Sequence, residues 1–236
     1  MKRLQKYLTQ YHNPKILDVG TGRGNFIQII KMLSDNFQEI IGTDLDDRLL
    51  ESNRESFKDD LRIKFVNDNI LETKLSEGCF DIVCLSNTIH HLKDLTDTFM
   101  GMRKLLNKDG IIIINEMVAD NLTPAQISHK LLHHFAAKVD RKIGRVHDET
   151  FNKKDLIDKV TDLAEEKVID VWDLDFEDET IDYDSKPYEN LLDHLVKIVA
   201  NKENANDFVK EADEIKNYIK SNGFKSATQV VMIIKK

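Results

Sequence analysis

The stretch Ile16-Leu-Asp-Val-Gly-Thr-Gly-Arg-Gly-Asn-Phe26 sets the frame for the whole chain. It opens as a short apolar run ending in an acid, the pattern of a strand buried on both faces. Gly20, Gly22 and Gly24 follow in alternation. Beyond them the apolar spacing changes to helical intervals, at Phe26, Ile29, Ile30, Leu33 and Phe37. The expected unit is strand, tight glycine turn, helix. Such a unit aims backbone N–H groups and the positive end of a helix dipole at a ligand lying over the strand end.

The spacing separates two ligand classes. A dinucleotide turn reads G-x-G-x-x-G. Here Asn25 stands where the third glycine belongs, and the extra glycine comes one residue early. Asp18, two residues before Gly20, would repel a pyrophosphate and suits a ligand carrying an ammonium group. The stretch resembles motif I of the class I S-adenosylmethionine-dependent methyltransferases. The resemblance implies that Asp18 and the backbone of Gly20 and Gly22 hold the methionine end of S-adenosylmethionine.

Three further positions extend the resemblance in chain order. Glu39 to Asp44 reads as a second buried strand ending in an acid, which can accept both hydroxyls of a ribose. Asp44 is assigned to the ribose, Leu45 to packing on adenine, and Asp46 or Asp47 to capping the helix over residues 48–57. Ile63 to Asn67 alternates as a third strand. Asp68 after it matches the family's adenine-binding acid, and Asn69 stands beside it where the family usually has a smaller residue. Phe80 to Leu85 is a fourth strand, and Ser86-Asn-Thr-Ile-His-His-Leu92 resembles motif IV of small-molecule methyltransferases, with Ser86 counted among the cofactor residues. The Asn-Pro-Pro-Tyr type of run that holds a base or amide amine is missing from this place, which points away from a nucleic-acid acceptor.

The implied fold is α/β: a Rossmann-like three-layer sandwich whose seven-stranded, mostly parallel sheet has the order 3-2-1-4-5-7-6, the last strand antiparallel. One methyltransferase domain is expected over residues 1–236, with two helical insertions. The first, 118–150, follows strand five and contains a helix introduced by Thr123-Pro124. The second, 177–223, separates the last two strands and would act as a substrate cap or a dimer surface. Asn107 to Gly110 reads as a turn before strand five, Asn152 to Asp155 has the form of a capping box, and Asp173 to Asp184 is a run of acids read as a solvated loop.

Composition narrows the partners. The formal net charge of −8 argues against nucleic acid, whose phosphates require a basic footprint. No apolar run is long enough to span a membrane, and the first residues lack the apolar core of a secretory signal. With Cys79 and Cys84 offering neither a disulfide framework nor a metal spacing, the cytoplasm is the expected compartment. His129 and His133 are spaced i, i+4, but no acid lies between them where a zinc-peptidase helix needs one, so no metal is expected. Lys138, Arg141, Lys142 and Arg145 read first as cations at a helix C-terminus, with a patch that receives an anionic acceptor as the alternative.

The reaction implied is in-line transfer of a methyl group from a sulfonium to a small-molecule acceptor. A general base is needed only if the acceptor must lose a proton. His90, after strand four, is the first candidate and His147 the second; Glu116 could orient an amine acceptor. The rival readings are methylation of a protein side chain, a cofactor-binding module without turnover, and a nicotinamide oxidoreductase, which Asp18 and Asn25 disfavour.

Overall fold

The structure is a computed structural model that describes residues 1–164, 167–175 and 185–236. Its elements run β1 (Lys15–Val19) after a leader helix α1 (Lys2–Leu8), then α2 (Asn25–Leu33), β2 (Glu39–Asp44), α3 (Asp47–Ser56), β3 (Ile63–Asn67) and β4 (Phe80–Ser86). A single 3-10 turn, Ile89–His91, precedes α4 (Leu95–Leu105), β5 (Leu106–Met117), α5 (Pro124–Lys142), α6 (Lys153–Leu163) and β6 (Val168–Leu174). The chain closes with α7 (Lys186–Ile198), α8 (Ala205–Asn222) and β7 (Gln229–Lys235).

The seven strands form one sheet in the order β3-β2-β1-β4-β5-β7-β6. β1 to β5 pair in parallel, whereas β7 runs antiparallel to both β5 and β6. Strand order therefore reverses at β1, where β2 and β4 depart to opposite sides. A ligand crevice is expected outside the carboxyl ends of the strands at such a point.

Alternation along each strand supplies the two faces. Leu17, Val83, Leu85, Ile112, Ile114 and Met232 join α4 and α6 through Phe99, Met102, Leu156 and Val160. Their neighbours Ile16, Ile82, Cys84, Ile111, Ile113 and Ile233 face the other way, onto Leu4 and Leu8 of α1, Phe26, Ile27 and Ile30 of α2, and Leu50 of α3. The side-chain period of two in a strand sends successive apolar residues to opposite cores, so the continuous Ile111 to Ile114 run serves both layers.

The helix after β5 and the two helices between β6 and β7 converge. Leu132, Phe135 and Val139 of α5 pack with Leu192 and Leu195 of α7 and with Phe208, Ala212, Ile215 and Ile219 of α8 in a third core of their own. Thr123 and Gln126 form a reciprocal capping box at the start of α5. Gln126 also reaches Thr228 at 3.0 Å, just before β7, and Ser128 Oγ donates to the Gly223 carbonyl at 2.6 Å. These bonds seat the helices on the sheet. Residues 177–184 of the second expected insertion, and 176–184 of the acidic run, lie outside the described residues.

Two local expectations need correction. Asn107 to Gly110 belongs to β5, which starts at Leu106 paired with Phe80; the irregularity is absorbed as a register shift between Phe80 and Ile82. Asn152 does begin α6, but without a side-chain cap; the Lys153 N–H donates instead to Asp120 at 2.7 Å, tying α6 to the segment after β5.

Candidate functional site

The glycine turn lies where β1 hands over to α2. Gly20 has φ +66°, a left-handed conformation that L side chains rarely take, and a Cβ there would collide with the Thr88 side chain. Thr88 Oγ1 donates to the Gly20 carbonyl at 3.1 Å, so the turn is packed onto the segment that follows β4. Gly22 is also left-handed, at φ +52°, but has open space before it. One glycine is thus required by contact with the protein, and the other leaves room in front of the backbone.

Asp44 closes the turn from the side of β2. Its Oδ2 accepts from the Gly22 N–H at 2.9 Å and its Oδ1 from the Asp46 N–H at 2.9 Å. Each oxygen of an ionised carboxylate has a second acceptor position, so both can still receive a hydroxyl. Asp46 takes the capping role at α3, accepting from the Arg48 N–H at 2.9 Å. Hydrogen bonding from the Arg48 side chain holds its carboxyl down at about 2. Asp68 is held by the Thr73 hydroxyl, and the Asn69 side chain turns back onto the Leu71 N–H at 3.1 Å.

These groups border one cavity of about 820 Å³ at the carboxyl ends of β1, β2 and β3. Gly20, Gly22, Asp44, Leu45, Asp68 and Asn69 all line it. Leu45 is 67% exposed, an apolar side chain held out against this space. Its far wall is made of Asn87, Thr88, His91, Leu92, Arg145 and Val146. The first four lie in or beside the 3-10 turn, within the stretch that resembles motif IV, and the last two lie in the loop after α5, where no local spacing marks them. Asn87, at φ +47°, also borders a second cavity of about 640 Å³ with Ser86, Asn115, Met117, His129 and His133. The two spaces meet at this residue.

Two expected cofactor residues, Asp18 and Ser86, and the expected base His90 stand elsewhere. Asp18 is buried beneath the turn and does not line the cleft; its Oδ2 accepts from the Thr21 hydroxyl at 2.7 Å and its Oδ1 has no partner among the described residues. Burial pushes its carboxyl up to about 7, the Thr21 bond opposing and Asp44 adding to the shift. The side chain faces inward because β1 is covered on both faces, so the acid braces the turn from below. Ser86 lines the second cavity instead of the cleft, and its hydroxyl accepts from Asn115 Nδ2 at 2.9 Å. His90 is likewise buried, with Nδ1 2.6 Å from Glu116 Oε1; its neighbour His91 takes the place in the cleft wall.

Glu116 is the residue whose part was least visible. It is fully buried, and Oε2 accepts from the Thr88 and Ile89 N–H groups at 3.0 and 3.1 Å while Oε1 meets His90. With all these bonds made, it orders the segment after β4 and is not directed at an acceptor. The Asn87 side chain is fixed too, Oδ1 accepting from the Met117 N–H at 2.9 Å.

His147 is also away from the cleft wall. Its Nδ1 lies 2.8 Å from Asp140 Oδ2, and its carbonyl accepts from Arg141 at 2.7 Å. Arg145 pairs with Asp140 at 3.2 Å, and Lys138 with Glu211 of α8. The cations at the end of α5 therefore hold the loop and the neighbouring helix. Burial lowers the pKa of His147, of His91 to about 4 and of His133 to about 2; neighbouring histidines add to the effect in all three, and the Asp140 bond opposes it at His147.

Residues 17–114, which contain the turn, both acids and the segment after β4, match the family described as "Methyltransferase domain". That match and the sheet order give the chain the Rossmann-like fold of the methyltransferases. Solved structures with the same fold include YjhP from E. coli, with TM-score 0.61 and 14% identity over 100% of this chain and 91% of that one. Another is phospholethanolamine N-methyltransferase 2 of Haemonchus contortus, solved with phosphomonomethylethanolamine and S-adenosylhomocysteine (TM-score 0.56, 14% identity, 99% of this chain and 53% of that one). In sequence, 127 residues are 28% identical to the hybrid PKS-NRPS synthetase LUC5 of a Fusarium species, covering 51% of this chain and 3% of that protein. About half of this chain is therefore matched to a small part of a far longer relative. Among the described residues, no helix is long and apolar enough to cross a membrane.

Proposed function

We propose that this chain binds S-adenosylmethionine in the cleft and transfers its methyl group to a small-molecule acceptor held on the other side of Asn87. The observation that carries this reading is the convergence of Gly22, Asp44, Leu45 and Asp68 on one cavity at the strand ends. The residues fit the cofactor. Asp44 keeps an acceptor position on each oxygen for a ribose, Leu45 offers an apolar surface to adenine, and Asp68 would accept from the adenine amino group. The Gly22 backbone is open to the methionine end. When bound, the cofactor supplies a methyl group on a sulfonium that is already reactive.

The work left to the protein is positional. Glu116 and Met117 fix the chain from Asn87 to His90 between the two cavities. An acceptor in the second cavity would be held on the far side of that segment. In-line transfer needs reacting atoms about 3–3.5 Å apart and aligned. The helices α5, α7 and α8 would limit water access.

The second cavity supports an acceptor of small-molecule size. Its volume, about 640 Å³, is in the range of small-ligand sites. Phe26, Ile29 and Met117 give it apolar walls, and Asn115 and Gln229 give it polar points. The net charge of −8 supports a partner other than nucleic acid.

Calorimetry with S-adenosylmethionine and with NAD tests the cofactor: heat is expected with the first alone, and heat with NAD alone would overturn the assignment. Transfer of labelled methyl from S-adenosylmethionine into a cell extract split by size tests the acceptor. Label in the low-mass fraction is expected. Label only in protein would move the activity to a side-chain acceptor, and binding without label would leave a module that does not turn over.

A further inference from the structure

We propose that His90, His133 and His147 form a binding site for one divalent transition-metal ion of the Zn²⁺ class. The inference goes beyond methyl transfer and does not depend on it. The three residues come from the 3-10 turn after β4, from α5 and from the loop after α5. Each offers one ring nitrogen, and these nitrogens lie within 4.8 Å of one another. The ring centroids are 4.7 Å (His90 to His133), 5.4 Å (His90 to His147) and 5.0 Å (His133 to His147) apart.

The hydrogen bonds on the outer side of the cluster set its chemistry. His90 Nδ1 meets the Glu116 carboxylate and His147 Nδ1 meets the Asp140 carboxylate. An ionised carboxylate only accepts, so each Nδ1 carries the proton and each Nε2 presents a lone pair. His90 Nε2, His147 Nε2 and His133 Nδ1 are buried and have no hydrogen-bond partner among the described residues. Buried polar atoms are nearly always paired, so three unpaired ring nitrogens in one place call for an explanation. A cation shared by the three supplies one.

The carboxylate–imidazole arrangement is that of metal-binding histidines, whose outer nitrogen is oriented by an acid. Imidazole ligands suit Zn²⁺ and its neighbours, while Mg²⁺ and Ca²⁺ prefer oxygen. Metal–nitrogen bonds of about 2.0–2.1 Å in a tetrahedral arrangement put ligand atoms about 3.3–3.4 Å apart, so the rings need to close from within 4.8 Å by up to about 1.5 Å. The described residues add no fourth histidine, cysteine or acid to this group, so a tetrahedral ion would keep a position for water. His133 also lines the second cavity, which gives an ion a way in. Once bound, the ion would clamp α5 and its trailing loop to the segment that separates the two cavities.

The test uses the full chain after chelator treatment, with ZnCl₂ or CoCl₂ added and neither cofactor nor acceptor present. One equivalent of metal is expected to remain through dialysis, with visible absorption from Co²⁺ that Zn²⁺ abolishes and a higher melting temperature with either ion. His133→Ala is expected to remove the absorption and the shift. Asp140→Asn, which keeps the three ligands, should weaken binding about 10–100-fold. His194→Ala, on the exposed face of α7, should change nothing. Circular dichroism identifies folded variants. Folded wild-type protein that binds no ion would overturn the proposal, and so would an unchanged Co²⁺ spectrum in folded His133→Ala or unchanged affinity in Asp140→Asn.

Discussion

Glu116 Oε1 and His90 Nδ1 lie 2.6 Å apart, both side chains buried. The other oxygen of Glu116 accepts two backbone N–H groups, from Thr88 and Ile89. One carboxylate on β5 thus holds the segment that ends β4 and separates the two cavities. Glu116→Gln replaces one acceptor with an NH₂ group, which must face a donor. Leaving a buried donor unpaired costs about 1–3 kcal/mol. Urea unfolding should show a loss of that size, and an unchanged midpoint would mean the network is not formed.

Asp18 gives a pH signature. Its folded-state pKa is about 7, against an ordinary 3.8. Between those values the folded chain keeps a proton that the unfolded chain releases, so stability falls as pH rises from about 4 to 7 and is level above. Asn does not titrate and can still accept from Thr21. Asp18→Asn should therefore match wild type in melting temperature near pH 4 and exceed it increasingly up to pH 7, by a free energy on the order of a few kcal/mol. A difference independent of pH would contradict the burial of an ionisable acid here.

Asp44→Ala should weaken S-adenosylmethionine binding about 10–100-fold, because hydrogen bonds to a charged group contribute about 1.5–3 kcal/mol. The substitution also frees the Gly22 and Asp46 N–H groups, which border the cleft and can be solvated. Calorimetry on the folded variant reads the effect, and unchanged affinity would remove Asp44 from the ligand site.

Gly20→Ala and Gly22→Ala should separate strain from occlusion. Both residues have positive φ, which costs a non-glycine residue about 1–3 kcal/mol. At Gly20 the added Cβ also meets Thr88, so the stability loss should be the larger of the two. At Gly22 nothing opposes the Cβ within the protein, so the stability loss should be strain alone, with cofactor affinity falling because the methyl enters the cleft. Thermal melts and calorimetry on the pair distinguish these outcomes; equal stability losses would mean that the Thr88 contact has no energetic weight.

The sequence by itself determined the strands and the glycine turn, and its resemblance to the methyltransferases implied the sheet order and the cleft floor. Apolar runs, the glycine turn and the acids after β2 and β3 are local patterns, governed by φ/ψ preferences and side-chain periods that a few residues express. Asp44, Leu45 and Asp68 could be read because their place is fixed by the strand end just before them. Only the tertiary structure decided which polar groups face the cleft and which are turned inward. Asp18 and Ser86 sit at strand ends like Asp44, but neighbouring layers enclose them. Glu116, inside an apolar strand, carried no mark of the N–H groups it would meet on another strand's exit loop. The histidines of the cluster stand far apart along the chain, and the one spacing that looked like a metal pair, His129 with His133, is not the one the fold assembles; His129 Nδ1 accepts the Ala227 N–H at 3.0 Å. Contacts between distant residues depend on how whole layers pack, and no short window of sequence contains that information.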